Sequence, residues 1–430
     1  MPYSKKYTFY IFVSFLFLLA FIVLERVFIE ETNEINRSLI LFLQKSNDKQ
    51  IQKLFTLISF VGTSSFCLPV ILFIFFLCKD KVKFIVFLIF YCFNNWLNDF
   101  LKILYFDSRP FYQYNDIQVV DCECLFGNPS GHAQVGLLFY LFLIEFCLNL
   151  NVSGKRVFYF AIKVFIFLIC TLLIFIIGFS RIYLGVHSFT QVILGWIYSQ
   201  FISTIYFLVR EPLKMQIQDF STKEILTQND KQTTITFLKR FFLILLAYSI
   251  FLLLNTLTYH FLKRNKEIPS IWLHNIETKC ERNKYVDQNI FLEAELLNSS
   301  FGSITFGMFF GIIFLKKCRQ IQEKKRMKLL KMGKSFVKPK AFLNCLLRFL
   351  ILLFLSLTLM SIIFLIEDKK DENIFILFIF KYNFPFIISG FGLIIVIPLT
   401  YLSLGIIKEG DFLERVVKTE ETKDGFNSQS

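Results

Sequence analysis

The stretch SRIYLGVH (180–187) separates two long apolar segments, and two other short stretches, KILYFDSRP (102–110) and PSGH (129–132), also lie at the ends of apolar segments. Together the three stretches supply three cations, a hydroxyl group, a glycine-flanked turn and two imidazoles. Such groups can hold a dianionic phosphate and transfer it through a histidine. The placement of the apolar segments therefore decides whether the three stretches can meet.

The composition is typical of a membrane protein. Of the 430 residues, 55% are hydrophobic and 58 are Phe, which is too many to bury in one aqueous core. Because a membrane-spanning helix needs about 20 apolar residues, we expect an all-α, polytopic membrane helical bundle with about ten transmembrane helices. The predicted spans lie near residues 8–28, 56–78, 84–104, 131–149, 158–178, 188–208, 241–261, 300–315, 345–366 and 383–407. Residues 374–382 either extend the tenth span or lie in the membrane interface.

The charges beside these spans predict the orientation of the chain. Lys and Arg concentrate in cytosolic loops, and ten alternating spans place the basic residues at 5–6, 79–83, 155–156, 239–240 and 316–340 on one side. Both termini are therefore predicted to be cytosolic, and the three polar stretches open on the other side. Nucleic-acid binding is an alternative explanation for the densest basic run, but a lipid-facing loop that fixes topology explains the run and the net charge of +14 better.

Three of the ten cysteines, Cys122, Cys124 and Cys280, fall on the predicted non-cytosolic side. A bridge from Cys280 to one of the other two is compatible with the sequence, and so are free thiols. The cysteines show no metal-ligand spacing, and we expect no metal or other cofactor. Asn36-Arg37-Ser38 is a usable glycosylation sequon on the same side.

KILYFDSRP contains two cations, Lys102 and Arg109, that are seven residues apart. This spacing is close to two helical turns and predicts that both lie on one helix face, with Pro110 ending the helix. Arg can bind two phosphate oxygens at once, while Lys acts as a point charge. The alternative is a pair of cations that reach from the membrane to its interface.

PSGH opens the fourth predicted span. A helix N-terminus presents free backbone N–H groups and the positive end of the helix dipole, so it favours an anion. Ser130 and Gly131 are therefore predicted to bring a hydroxyl and a backbone N–H to a phosphate oxygen, with His132 beside them. The alternative is that Ser130 is a helix cap and His132 is incidental, although the chain has only four His.

SRIYLGVH places Arg181 six residues before His187, and Gly185 allows a bend between them. Gln191 follows His187 by one helical turn, so its amide oxygen can accept a hydrogen bond from an imidazole N–H. Such a bond fixes the tautomer that leaves the other ring nitrogen free for attack. A solvated loop with interface cations is the alternative.

Taken together, the three stretches resemble the pattern KxxxxxxRP, PSGH and SRxxxxxHxxxD of the type 2 phosphatidic acid phosphatase superfamily. Every fixed residue is present except the last, where Gln191 replaces Asp. The resemblance implies that His187 Nε2 attacks phosphorus to form a phosphohistidine, and that His132 protonates the leaving oxygen and then activates water. It also implies that the phosphate oxygens are held, without a metal, by Lys102, Arg109, Ser130, the Gly131 N–H and Arg181.

Within that superfamily, HxxxQ, Cys122-Glu123 and Ile397-Pro398 are similar to the glucose-6-phosphatase branch. The resemblance covers roughly residues 45–407. It implies hydrolysis of glucose 6-phosphate or a similar sugar phosphate in the lumen of the endoplasmic reticulum, with a sugar-phosphate transporter as a candidate partner. A lipid phosphate phosphatase acting on phosphatidate or sphingoid-base phosphate is the alternative. A transporter or scaffold without hydrolysis is disfavoured, because His132 and His187 are both intact.

The same comparison predicts the domain organisation. Residues 1–44 form an N-terminal signal-anchor span and lumenal segment that the glucose-6-phosphatase branch lacks. Residues 45–407 form the catalytic membrane domain, and the polar residues 408–430 form a disordered cytosolic tail.

Overall fold

The computed structural model describes residues 5–46, 48–77, 81–120, 122–123, 125–149, 156–222, 230–280, 289–314 and 374–394. Within these ranges every regular element is a helix, which confirms the predicted all-α class. Eight of these helices are long and apolar enough to cross a membrane, and one bent pair of helices makes a ninth candidate. The chain is therefore a multi-pass membrane protein.

A buried centre carries the three polar stretches. Its helices pack against α5, and the rings of Phe87 and Phe142 stack between α5 and α7 with their centroids 3.6 Å apart. At least half of the most apolar part of each central helix is buried. The central helices are α5 (Lys81–Tyr105), α7 (Gly131–Leu148), α9 (Phe189–Thr222) and α12 (Ile290–Ser299) with its continuation.

The peripheral helices have the opposite pattern. α1 (Lys5–Val27), α8 (Arg156–Tyr183) and α10 (Asp230–Asn265) expose most of their apolar side chains. Lipid is as apolar as these side chains, so exposed Phe and Leu cost little there. The six predicted spans that correspond to α1, α5, α7, α8, α9 and α10 are confirmed.

The predicted span near 56–78 is not one straight helix, because the chain forms two helices there. These are α3 (Lys49–Phe60) and α4 (Ser64–Leu77), which are bent by 46° at the break between them. The hydroxyl of Thr63 accepts a hydrogen bond from the backbone N–H of Phe66 at 3.2 Å, so a new helix starts at this point. The break brings Ser59 to the level of the polar stretches.

The predicted eighth span, 300–315, begins too late. α12 passes through a 3₁₀ turn (Ser300–Gly302) into helix that reaches Phe314. The acidic residues of α12 make it look too polar to span a membrane. Glu295, however, is fully buried, with its carboxylate 3.4 Å from Lys102 Nζ.

The predicted tenth span, 383–407, also begins too late. The last described helix, α13 (Ile374–Ile394), includes a π-helical segment (Leu377–Asn383), so residues 374–382 extend the span. The rest of that span, 395–407, lies outside the described residues. So do the predicted ninth span, 345–366, the basic run 316–340 and the tail 408–430.

Three short helices lie where the polar stretches meet: α2 (Ile29–Leu43), α6 (Pro110–Gln113) and α11 (Ser270–Lys279). A disulfide joins Cys122 to Cys280, with Cα atoms 5.8 Å apart, so the bridged alternative holds. α11 is also held to α6 and the residues after it, because Asn275 donates to the Tyr112 carbonyl at 2.8 Å and Lys279 to the Tyr114 carbonyl at 2.8 Å.

The glycosylation prediction at Asn36 is wrong. This side chain is only 4% exposed, and its amide donates a hydrogen bond to Thr190 Oγ1 at 3.0 Å. An asparagine buried in this way cannot carry a glycan. It instead links α2 to the first turn of α9.

Candidate active site

The three polar stretches converge on one cavity of about 280 Å³. The end of α5, the start of α7 and the turn between α8 and α9 supply polar groups to its walls, and the break between α3 and α4 closes it. Residues from all three stretches line it, so five of the eight sequence-predicted groups meet there, whereas Ser130, Arg181 and Gln191 do not line it. The lining includes Lys102, Arg109, Glu123, Gly131, His132 and His187.

The first stretch is shaped differently from the prediction. α5 ends at Tyr105, and Arg109 is extended, with φ of −78° and ψ of 154°, so Lys102 and Arg109 do not share a helix face. Pro110 begins α6 rather than ending a helix, because its fixed φ suits a first helical position. Lys102 and Arg109 are 6% and 1% exposed, which rules out cations that reach into the solvated interface.

Ser130 lies immediately before α7 and does not cap it. Its backbone N–H donates to the Gln191 carbonyl at 3.0 Å, which fastens the start of α7 to α9. Its hydroxyl is buried and has no hydrogen-bond partner among the residues that the structure describes. A buried hydroxyl of this kind is available to a bound anion.

The imidazole of His187 is held from one side. Its Nδ1 lies 2.8 Å from the Gly127 carbonyl oxygen and 3.3 Å from Gln191 Oε1. Both of these atoms only accept, so Nδ1 carries the hydrogen and Nε2 keeps its lone pair. The contact expected of Gln191 is therefore present, but the Gly127 carbonyl is closer, and nothing in the motif pattern indicates it.

The turn before His187 depends on a glycine. Gly185 has φ of +73°, and the backbone N–H of His187 donates to the Arg181 carbonyl at 3.2 Å. His187 is 1% exposed. Burial, and then the charges of Arg109 and Arg181, hold the pKa of His187 well below its usual value. The ring is therefore neutral near pH 7, as a nucleophile must be.

Glu123, which lines the cavity, joins Arg109 of the cavity wall to Arg181 behind it. Its carboxylate oxygens lie 2.7 Å from Arg109 Nη2 and 3.3 Å from Arg181 Nη2. Burial alone raises the pKa of this carboxyl, but the charges of Arg109 and Arg181 outweigh burial and hold it well below the usual value. The Glu123 carboxylate thus occupies the two guanidinium groups that are expected to bind a phosphate.

Two further side chains hold these cations, and sequence reasoning did not single them out. Ser59, on α3, accepts a hydrogen bond from Arg181 Nη1 at 2.7 Å. Glu295, on α12, pairs with Lys102 and also accepts from the backbone N–H of Phe126 at 3.1 Å. Within the described ranges, no group of three or more His, Cys, Asp or Glu side chains could hold a metal ion.

The fold and the site define a polytopic membrane protein with a buried cavity of cations and histidines. Residues 83–214 match the family model of the PAP2 superfamily, so the chain contains a PAP2 superfamily domain, which supports a phosphatase. That range includes all eight predicted site residues.

One solved structure similar to this chain is the transmembrane PAP2-type phosphatidylglycerolphosphate phosphatase from Bacillus subtilis. It is 23% identical with a TM-score of 0.40, and the match covers 47% of this chain and 96% of that chain. A search of curated proteins finds no match to this chain.

Proposed function

We propose that the protein hydrolyses a phosphate monoester through a phosphohistidine on His187. The observation that carries the proposal is the fixed imidazole: Gly127 accepts from Nδ1, so Nε2 presents a lone pair in the cavity. Arg109 Nη1 lies 3.5 Å from Nε2, so a phosphate on this arginine is next to the nucleophile.

The proposed reaction has two steps. His187 Nε2 bonds to phosphorus while the bond from phosphorus to the ester oxygen breaks, and His132 gives a proton to that oxygen. A water then attacks phosphorus, His132 takes its proton, and the bond from phosphorus to Nε2 breaks to release inorganic phosphate. The charge that develops on the other phosphate oxygens is stabilised by Lys102, Arg109, Ser130, the Gly131 N–H and Arg181.

We further propose glucose 6-phosphate as the substrate. Beyond the groups assigned to phosphate, the cavity is lined by amides, hydroxyls and a carboxylate, which can bond to the hydroxyls of a sugar. These polar residues are Thr63, Ser64, Asn95, Asn98, Asp99 and Asn298. Gln191 supports the same substrate, because it gives the HxxxQ form that resembles the glucose-6-phosphatase branch.

A lipid phosphate is the second candidate, and a separate observation favours it. An apolar cavity of about 500 Å³ lies among α5, α10 and the continuation of α12. Trp96 and Gly302 line it, and their chain neighbours Asn95 and Phe301 line the polar cavity. An acyl chain in the apolar cavity is therefore close to a phosphate in the polar one.

Substrate tests on membranes that contain the protein separate the two candidates. Glucose 6-phosphate and short-chain phosphatidate are supplied separately, and phosphate release is measured. We expect release from the sugar phosphate only, with a raised KM in Asn298→Leu, which removes an amide from the polar cavity. Ala247→Trp, which fills the apolar cavity, is the matched control and leaves sugar turnover unchanged. Turnover of phosphatidate alone, lost in Ala247→Trp, overturns the sugar assignment.

We place the site on the lumenal side of the endoplasmic reticulum, with both termini cytosolic. The basic residues beside the predicted spans support this orientation. In intact microsomes, turnover of glucose 6-phosphate is then limited by its delivery across the membrane, and detergent raises it. Equal rates with and without detergent contradict a lumenal site served by a separate transporter.

A further inference from the structure

The end of α1 reaches the back of the site. Arg26 binds the Asp107 carboxylate through both terminal nitrogens, one of them at 3.1 Å, and lies 4.4 Å above the Tyr105 ring. The amide of Asn128 donates to Asp107 at 2.8 Å and to Glu25 at 3.2 Å. These contacts form the Arg26 cluster, which consists of Glu25, Arg26, Asp107 and Asn128.

The cluster borders the backbone that holds the nucleophile. The Gly127 carbonyl accepts from His187 Nδ1, and Asn128 is the next residue. The Gly127 N–H donates to the Asp107 carbonyl at 2.8 Å. The position of the Gly127 carbonyl is therefore fixed by Asp107 on one side and Asn128 on the other.

The second acceptor on His187 depends on the same segment. Gln191 Oε1 contacts His187 Nδ1, and Gln191 Nε2 donates to the Ser108 carbonyl at 2.8 Å. Ser108 follows Asp107 in the chain and packs closely on Gly127, where an added Cβ would lie 2.5 Å from the Ser108 carbonyl oxygen. A shift of Asp107 thus moves both acceptors of the imidazole together.

A further contact from the N-terminal segment reaches the same helix turn. Asn36, on α2, donates to the Thr190 hydroxyl, which lies 3.0 Å from the Ser188 hydroxyl. Ser188 Oγ accepts from the backbone N–H of Gln191 at 3.2 Å. The N-terminal segment therefore contacts the supports of His187 at two points, although it precedes the matched domain of residues 83–214.

We propose that Arg26 is a positioning residue: through Asp107 and Asn128 it holds the Gly127 carbonyl and so the orientation of the His187 ring. Glu25 and Asp107 both contact the Asn128 amide, and Arg26 supplies the positive charge between the two carboxylates. Without Arg26 these carboxylates repel, and Asp107 moves with its backbone. This inference rests on the proposed function, since it assigns His187 the attack on phosphorus.

The test uses the full-length protein in membranes and the variant Arg26→Ala. We expect kcat to fall about 10- to 100-fold, since small misplacements of a reacting group cost this much. The competitive inhibition constant of inorganic phosphate is expected to stay within about twofold, because the ion pairs of Lys102 with Glu295 and of Arg109 with Glu123 lie outside the cluster. A general loss of structure does not produce this split between kcat and phosphate binding.

Arg37→Ala is the matched control. Arg37 also lies in the N-terminal segment and pairs with Asp116 at 2.7 Å, but this ion pair is exposed. Its loss leaves kcat unchanged. Should Arg26→Ala fail to accumulate, Asp107→Asn, which keeps the side-chain shape and removes the charge, is measured in the same way.

The outcomes are distinct. A kcat within about twofold of wild type overturns the inference, and so does an equal loss in Arg37→Ala or a parallel weakening of phosphate inhibition. A wild-type protein that releases no phosphate from any monoester overturns the proposed function instead.

Discussion

Glu123 pairs with both Arg109 and Arg181, so Glu123→Gln tests how the site accepts phosphate. A bound phosphate must take over the contacts of Glu123 with Arg109 and Arg181, at 2.7 and 3.3 Å. A hydrogen bond to a charged group contributes about 1.5–3 kcal/mol and a neutral one about 0.5–1.5 kcal/mol. The amide therefore weakens each contact by about 1 kcal/mol, or about 2 kcal/mol for both.

This difference lowers the competitive inhibition constant of inorganic phosphate about 30-fold, at 1.4 kcal/mol for each factor of ten. The assay titrates phosphate against substrate in membranes that carry either form. Without phosphate, Glu123→Gln also unfolds at a lower temperature than wild type, because two buried guanidinium groups lose their counter-charge. Saturating phosphate supplies that charge and removes the difference in unfolding temperature. Asp116→Asn removes an exposed carboxylate of the same loop and leaves the constant unchanged. An unchanged or raised constant in Glu123→Gln refutes the reasoning.

Three further predictions follow from the site and its disulfide. Gln191→Glu loses the donor to the Ser108 carbonyl and lowers the free energy of unfolding by about 1–3 kcal/mol, and an unchanged thermal midpoint contradicts this. Because the pKa of His187 is held well below 6.5, kcat/KM corrected for the substrate's own ionisation shows no acid limb near pH 6.5; a limb there contradicts the neutral ring. Cys122→Ser removes the Cys122–Cys280 disulfide, which joins residues 158 positions apart, and lowers the free energy of unfolding by about 5 kcal/mol. Cys147→Ser, at a free thiol, changes the free energy of unfolding little.

The parts of the site that the sequence predicted are those that carry charge at the ends of apolar segments. Lys102, Arg109, His132 and His187 all line one cavity, because long apolar helices fix which ends of the chain meet. The all-α class follows from the same lengths. These features depend on local composition, which is visible in a sequence.

The remaining features depend on contacts between distant residues. Phe106 has φ of +53°, a conformation that its side chain disfavours, so the end of α5 at Tyr105 could not be predicted from local preferences. The start of the eighth span was missed because Glu295 is charged, and its counter-charge, Lys102, lies far away in the chain. The Gly127 carbonyl that holds His187 is a backbone atom, which no motif marks.

The central claim is a covalent phosphate on His187. The most direct measurement uses p-nitrophenyl phosphate that carries a radioactive phosphorus atom, and it follows transfer of that phosphorus to the protein. The p-nitrophenolate leaving group needs no proton. We expect label in wild type, no label in His187→Ala, and persistent label in His132→Ala, because the water that releases the phosphate then lacks its base. Label on His187→Ala contradicts the account.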